Sequence, residues 1–291
     1  MGASAFHKMN GLGNAFAILD LRGGRPRLAP QEAATIAATE GGVGADQVIS
    51  LEDPSAPGAA DVRMGIWNAD GGEVEACGNA ARCVAWLLME ERGEDKASIE
   101  AGGQTLLAER AGAKRVTVDM GRPRLSWDEI PLAEPMDTRR IDIKLGPIDA
   151  PYLWGPAAVS MGNPHCVFFV DAVEDHKLER FGPLVENHPL FPERTNVELA
   201  EVRSEDSIRL RVWERGVGIT QACGTGACAT LVAAHRRGLA GREADIILDG
   251  GVLRIAWDAN DRVIMTGDIA YEYAGEWTGL GVGLGAGANG G

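Results

Sequence analysis

Aromatic side chains are scarce in this 291-residue chain: Phe, Trp and Tyr together make up 5% of it. Hydrophobic residues still reach 45%, enough for real cores, so packing is expected to fall mainly to aliphatic and small side chains. No apolar run approaches the roughly 20 residues of a membrane-spanning helix, and no membrane partner is expected. Basic residues are outnumbered, 28 against 42, for a net charge of −14. That balance argues against nucleic acid and against an anionic membrane surface. It leaves an anionic small molecule open, because a few local donors outweigh a distant field. Cysteine is limited to five, an odd number, and MGASAFHKMNG carries no secretory pattern. A disulfide framework is excluded on this reading, and a reducing cytoplasm is the expected location.

Cofactor signals are missing as well. The lysines, Lys8, Lys96, Lys114, Lys144 and Lys177, have no context that suggests a Schiff-base anchor. Gly11-Leu12-Gly13 and Gly42-Val43-Gly44 lack the third glycine of a dinucleotide fingerprint. The spacings Cys77-x5-Cys83 and Cys223-x4-Cys228 are not those of a zinc site. Neither a cofactor nor a metal is expected.

What the chain does have is a repeat. Ala76-Cys77-Gly78-Asn79 has a twin in Ala222-Cys223-Gly224-Thr225. The match extends backwards through Trp67-Asn68 and Trp213-Glu214, each ten residues before its cysteine, and through Gly72 and Gly218. It extends forwards to Arg92-Gly93 and Arg237-Gly238. Two similar halves are therefore expected.

The local pattern repeats with it. Strands are predicted over residues 15–20, 47–51, 62–67 and 115–119, with helices over 30–40 and 79–92. In the second half, strands are predicted over 166–171, 195–202, 207–214, 244–248, 252–257 and 262–266, with helices over 176–187 and 225–237. Asn79 and Thr225 are the expected N-caps of the two long helices, and Gly93 and Gly238 their terminators. The Pro-containing stretch 121–135 reads as the link between halves. Residues 281–291 read as a mobile Gly-rich tail.

A thiol just before a helix meets unpaired N–H groups and the positive end of the dipole. That setting is expected to lower its pKa. Gly78 and Gly224 leave the helix end open to a ligand, and the same amides can hold a carboxylate. Two such elements supply a thiolate for one face of a carbon acid and a thiol for the other, which is what proton inversion needs. Cys83, Cys166 and Cys228 read instead as small buried hydrophobes.

The runs KMNGLGNAF, GVGADQ, NADGGEVEACGNAARC, MGNPHC, FPERTNV and WERGVGITQACGTGACA resemble the diaminopimelate epimerase family over about residues 8–267. That family is similar to the cofactor-independent proline racemases. The resemblance implies an α+β fold of two pseudo-symmetric domains, each a curled, mostly antiparallel sheet around a central helix. The division expected is 1–122 with 268–280 returning to it, then 123–267, then the tail 281–291. The implied activity interconverts LL- and meso-diaminopimelate for lysine and peptidoglycan synthesis.

Carried over by motif, Cys77 and Cys223 are the acid–base thiols, with His165 and Glu214 tuning them. Gly78, Asn79, Gly224 and Thr225 clamp the reacting carboxylate. Asn14, Gln47, Asn68, Asn163, Asn196, Glu214 and Arg215 complete the substrate pocket. The resemblance also implies a homodimer, with Tyr273 placed like an interface tyrosine. Asn10, Ala15, Ala80 and Ile219 depart from the common pattern of the family. A proline or hydroxyproline racemase, a silent amino-acid-binding protein and a thiol redox protein remain as alternatives. Solvent-deuterium incorporation into diaminopimelate separates them.

Overall fold

The structure is a computed structural model that describes residues 4–74, 78–147, 149–278 and the backbone of 282–284. The chain forms two compact units: Met1–Val118 with Gly267–Gly291, and Asp119–Thr266. The fold is α+β, mostly sheet, with four α-helices among the described residues: α1 (Pro30–Ala37), α2 (Gly78–Arg92), α3 (Leu178–Glu186) and α4 (Gly224–Arg236). Among the described residues no helix is long and apolar enough to cross a membrane.

In the first unit, the strand Ser4–Gly11 lies between Ala270–Trp277 and Asn14–Asp20, antiparallel to both. Pairing continues parallel to Gln47–Glu52, antiparallel to Val62–Asn68, parallel to Lys96–Ala101 and antiparallel to Gln104–Gly112. The second unit repeats this alternation. Ala157–Ser160 pairs antiparallel with Pro164–Phe169, which runs parallel to Asn196–Ser204. Ser207–Glu214 follows antiparallel, Glu243–Leu248 parallel and Gly251–Trp257 antiparallel. The sequence repeat is therefore also a repeat of strand order and direction.

Each sheet curls around one helix, and the helix compositions show why. Helix α2 buries every residue from Gly78 to Ala85, and α4 every residue from Gly224 to Ala234. A helix buried on all sides needs cover on all sides, and in α2 that cover extends to Asn79 and Arg82. Small residues on α4, Ala227, Ala229, Ala233 and Ala234, let the strands approach closely. Both helices end as expected. Gly93 (φ 67°) and Gly238 (φ 69°) take the left-handed conformation that glycine adopts at no steric cost. The following N–H groups then reach back, Glu94 to the Met89 carbonyl and Leu239 to that of Ala234.

The starts of these helices differ from expectation. Helix α2 begins at Gly78, so Asn79 lies in the first turn and not at the cap. Helix α4 is capped by Cys223, and Thr225 lies inside it. Three other segments gain detail. Residues 121–135 contribute Ile130 and Leu132 to the core of the second unit. Val282–Leu284 forms a strand paired with Gly275–Trp277, since ladder hydrogen bonds need no side chains; the rest of the tail lies outside the described residues. Tyr273 sits within the strand Ala270–Trp277 and meets Phe6 edge-to-face at 5.9 Å, so it belongs partly to the unit's own core.

The smaller helices fix the strand ends that carry site residues. Gly182 of α3 packs so closely on Trp213 that an added Cβ would lie 2.4 Å from the ring. Glu186, at the end of the same helix, accepts hydrogen bonds from Trp213 Nε1 (2.7 Å) and the Gly216 amide (2.9 Å). Gly182→Ala is therefore expected to destabilise the protein by about 1–3 kcal/mol through overpacking. Denaturant unfolding measures it. A loss near zero would mean that Trp213 moves freely and does not brace the segment leading to Glu214.

Candidate functional site

In the second unit the site is built at the N-terminus of α4. The Cys223 backbone is extended (φ −123°, ψ 110°), and its Sγ accepts the Gly226 N–H at 3.4 Å. Sulfur thus fills the capping role usually taken by a hydroxyl or carboxylate oxygen. Thr225 Oγ1 lies 3.6 Å from the same sulfur. Cys223 is buried, with 5% of its surface exposed.

The strand Ser207–Glu214 delivers Glu214 at its end. Thr220, on the adjoining antiparallel strand Gly218–Thr220, donates its hydroxyl to the Glu214 carboxylate. The Glu214 carboxyl acts electrostatically on the Cys223 thiol. Burial pushes this carboxyl above its usual range, against the lowering effects of Thr220 and of Cys223.

The thiol departs from expectation. Burial holds Cys223 well above the ordinary thiol value, and the Glu214 and Glu198 carboxyls add to the shift. The Thr225 hydroxyl and the Gly226 amide pull the other way and lose. The helix end does favour thiolate, but desolvation beside two carboxyls is the larger effect. Burial therefore favours the thiol form of Cys223.

His165 is fully buried on the strand Pro164–Phe169. Its Nδ1 lies 2.6 Å from Glu198 Oε1, and its Nε2 lies 3.1 Å from Asn163 Oδ1. Asn163 Nδ2 in turn donates to Thr225 Oγ1 at 3.3 Å. His165, Asn163, Thr225 and Cys223 are therefore joined in one hydrogen-bonded line. Asn196 has a scaffolding position. Its Nδ2 donates to the Pro164 carbonyl and its Oδ1 accepts the Arg215 amide, both at 2.9 Å. The half-buried Arg215 side chain donates to the Glu193 carbonyl at 2.9 Å. Gly224 opens α4 and is buried.

The first unit holds the remaining residues. Gln47 and Asn68 face each other across antiparallel strands, and Gln47 Nε2 donates to Asn68 Oδ1 at 3.0 Å. Gln47 Oε1 is buried with no hydrogen-bond partner. Asn14 starts the strand Asn14–Asp20 and is half-buried, while Gly78 and Asn79 are buried in the first turn of α2. Cys77 lies outside the described residues.

Of the departures from the family pattern, two have local explanations. Asn10 Oδ1 accepts the Gly13 amide at 2.8 Å, closing a turn. The Ala15 amide is met at 2.8 Å by Asp46, so an aspartate still serves this turn although position 15 does not supply it. Ala80 is buried in α2, and Ile219 is exposed. Sequence reasoning missed Glu198 and Thr220. A carboxylate in an alternating strand carries no local signal, and only the parallel register with Pro164–Phe169 brings Glu198 to His165.

The fold is one shared by solved epimerases, proline racemases and phenazine-biosynthesis proteins. A solved hydroxyproline epimerase from Agrobacterium vitis superposes with a TM-score of 0.66 at 14% identity, covering 94% of this chain and 92% of the other. The sequence goes further. The model of the diaminopimelate epimerase family matches residues 6–126 and 157–272, and the chain belongs to that family. It is 52% identical over 278 residues to the diaminopimelate epimerase of Methylobacterium sp. (strain 4-46), covering 94% of each chain. It is 52% identical over 271 residues to that of Phenylobacterium zucineum (strain HLK1), covering 93% of this chain and 96% of the relative.

Proposed function

We propose that the protein interconverts LL- and meso-diaminopimelate by inversion at Cα, with Cys223 and Cys77 as the two proton-transfer groups. The observation that carries this is the Cys223 thiol held at a helix N-terminus beside the Glu214 carboxyl. Inversion requires a base on one face of the carbon and an acid on the other. For the LL-to-meso direction Cys223 is the acceptor. It must first pass its own proton to Glu214, whose raised affinity for protons suits that task. The Cys223 thiolate then takes the Cα proton, and the Cys77 thiol returns one from the opposite face. His165 keeps the surroundings of Cys223 ordered through Asn163 and Thr225.

Substrate binding divides by chemistry. The amides of Gly224, Thr225, Gly78 and Asn79 at the two helix ends receive the reacting carboxylate, where the dipoles favour negative charge. Charge developing on that carboxylate in the transition state is stabilised by the same N–H groups. Arg215 suits the distal carboxylate, and the amide side chains of Gln47, Asn68, Asn14, Asn163 and Asn196 suit the ammonium groups and remaining oxygens. Gln47 Oε1 is a buried acceptor suited to such a donor. A homodimer and a cytoplasmic location complete the reading, and both rest on the family resemblance.

The test is to incubate the protein with LL-diaminopimelate in deuterated water and follow Cα by NMR. Deuterium should enter at Cα as the meso isomer appears. Binding without exchange would leave a silent binding protein, and exchange of proline or hydroxyproline alone would favour the racemase alternative.

A further inference from the structure

Glu198 lies wholly inside the second unit, with none of its surface exposed. An isolated carboxylate there would be costly unless strongly paired. Its Oε1 meets His165 Nδ1 at 2.6 Å, within the range of a charge-assisted bond. Burial pushes this carboxyl above its usual range, against the lowering effect of His165. Oε2 has no partner. The parallel register sets Val167 against Glu198, so His165 and Glu198 are diagonal neighbours on one face. The site is closed around them, because a Cβ at Gly226 would come within 2.9 Å of Glu198 Oε1. A well-packed interior retains such a group when something else in the structure needs it.

The geometry points to Glu198 as a positioning residue for the proposed reaction: it holds the proton on His165 Nδ1, so that only Nε2 faces the line through Asn163 and Thr225 to Cys223. A terminal amide can turn over, and its two settings suit two states of the sulfur. In the setting found here Asn163 Oδ1 faces Nε2 and Nδ2 donates to Thr225, whose hydroxyl can then donate to the Cys223 sulfur; a neutral ring protonated at Nδ1 requires the turned amide instead. With Asn163 turned, its oxygen takes the hydroxyl proton, its Nδ2 donates to an unprotonated His165 Nε2, and Thr225 accepts from the Cys223 thiol. The line does not carry the substrate proton, and the other titratable groups around it are Glu214 and Cys166, the latter pushed up by burial and by Glu198.

The test uses the full-length protein, Glu198→Gln, His165→Gln and the double variant. Only its kinetic arm rests on the epimerase reading. In nitrogen NMR of 15N-histidine protein without substrate, wild-type His165 should carry its proton on Nδ1. In E198Q both tautomers should be populated, because an amide can donate or accept at Nδ1. E198Q should lower kcat about tenfold or more with KM changed less than about threefold. On the H165Q background the same change should cost almost nothing further, because the effect runs through the ring. A wild-type Nδ1 without a proton overturns the assignment, and this is readable even if E198Q fails to fold. An undiminished Nδ1–H tautomer in E198Q, or a full additional kcat loss on H165Q, also overturns it. Absence of any epimerase activity would sink the functional reading and leave the tautomer result standing.

Discussion

Replacing Cys223 with alanine should lower the rate of epimerisation by at least about 10³-fold, and Cys77→Ala should do the same, because each removes one of the two proton-transfer groups. The two variants should differ in exchange. One remaining thiol can still remove and return a proton on its own face, so washout of Cα–H from one isomer can outlast inversion. Chiral separation of products together with deuterium content reads both at once. Ordinary turnover by either alanine variant would sink the two-base reading. The wild-type rate should be bell-shaped with pH, since only the state with one thiolate and one thiol is productive. The two apparent pKa values belong to the coupled groups, the two thiols and Glu214 together.

Glu214→Gln should lower kcat by about 10²-fold or more, since the Cys223 thiol loses the group that takes its proton. The pH dependence supplies the sharper check. Burial raises the Glu214 carboxyl above its usual value, so the wild-type rate should fall as pH drops through that raised value. In the glutamine variant the acid limb should move to higher pH, because the raised Cys223 thiol must then ionise without that acceptor. Stability should move the other way. A carboxyl with a raised folded-state pKa binds protons more tightly in the folded protein than in the unfolded chain. Its cost is absent below the ordinary value of 4.5 and grows as pH rises through the folded value. Glutamine removes that cost, so the variant should be at least as stable as wild type at pH 7–8. Thermal unfolding alongside kinetics separates loss of chemistry from loss of fold. An inactive variant that also melts far earlier would make Glu214 a structural residue.

Much of this site could be read before the structure. The doubled Cys-Gly element marked two helix starts because glycine after an extended residue is a local signal. Strands with a clean alternation, such as Ser207–Glu214, emerged with the expected limits. The strands Lys96–Ala101 and Gln104–Gly112 were not singled out, because they are rich in Lys, Glu, Gln and Ala, which carry no strand preference of their own. Cap identity was misplaced by a rule of averages. Asn and Thr are the common caps, but each helix already starts at the glycine before them. The sign of the Cys223 shift was missed for a related reason. The helix end is local and legible, whereas the burial and the two carboxyls that outweigh it arrive from distant strands. Glu198 was invisible on the same grounds.

The sulfur that caps α4 has an evolutionary consequence. Oxygen accepts a backbone N–H better than sulfur does, and serine is a preferred N-cap where cysteine is not. A Cys223→Ser change would therefore keep or improve the helix start while removing the reactive thiol. Selection for folding alone would not hold cysteine at this position and would drift toward a sturdier, silent protein. Persistence of the thiol at the cap in a lineage is thus a record of selection on catalysis, legible at a single codon.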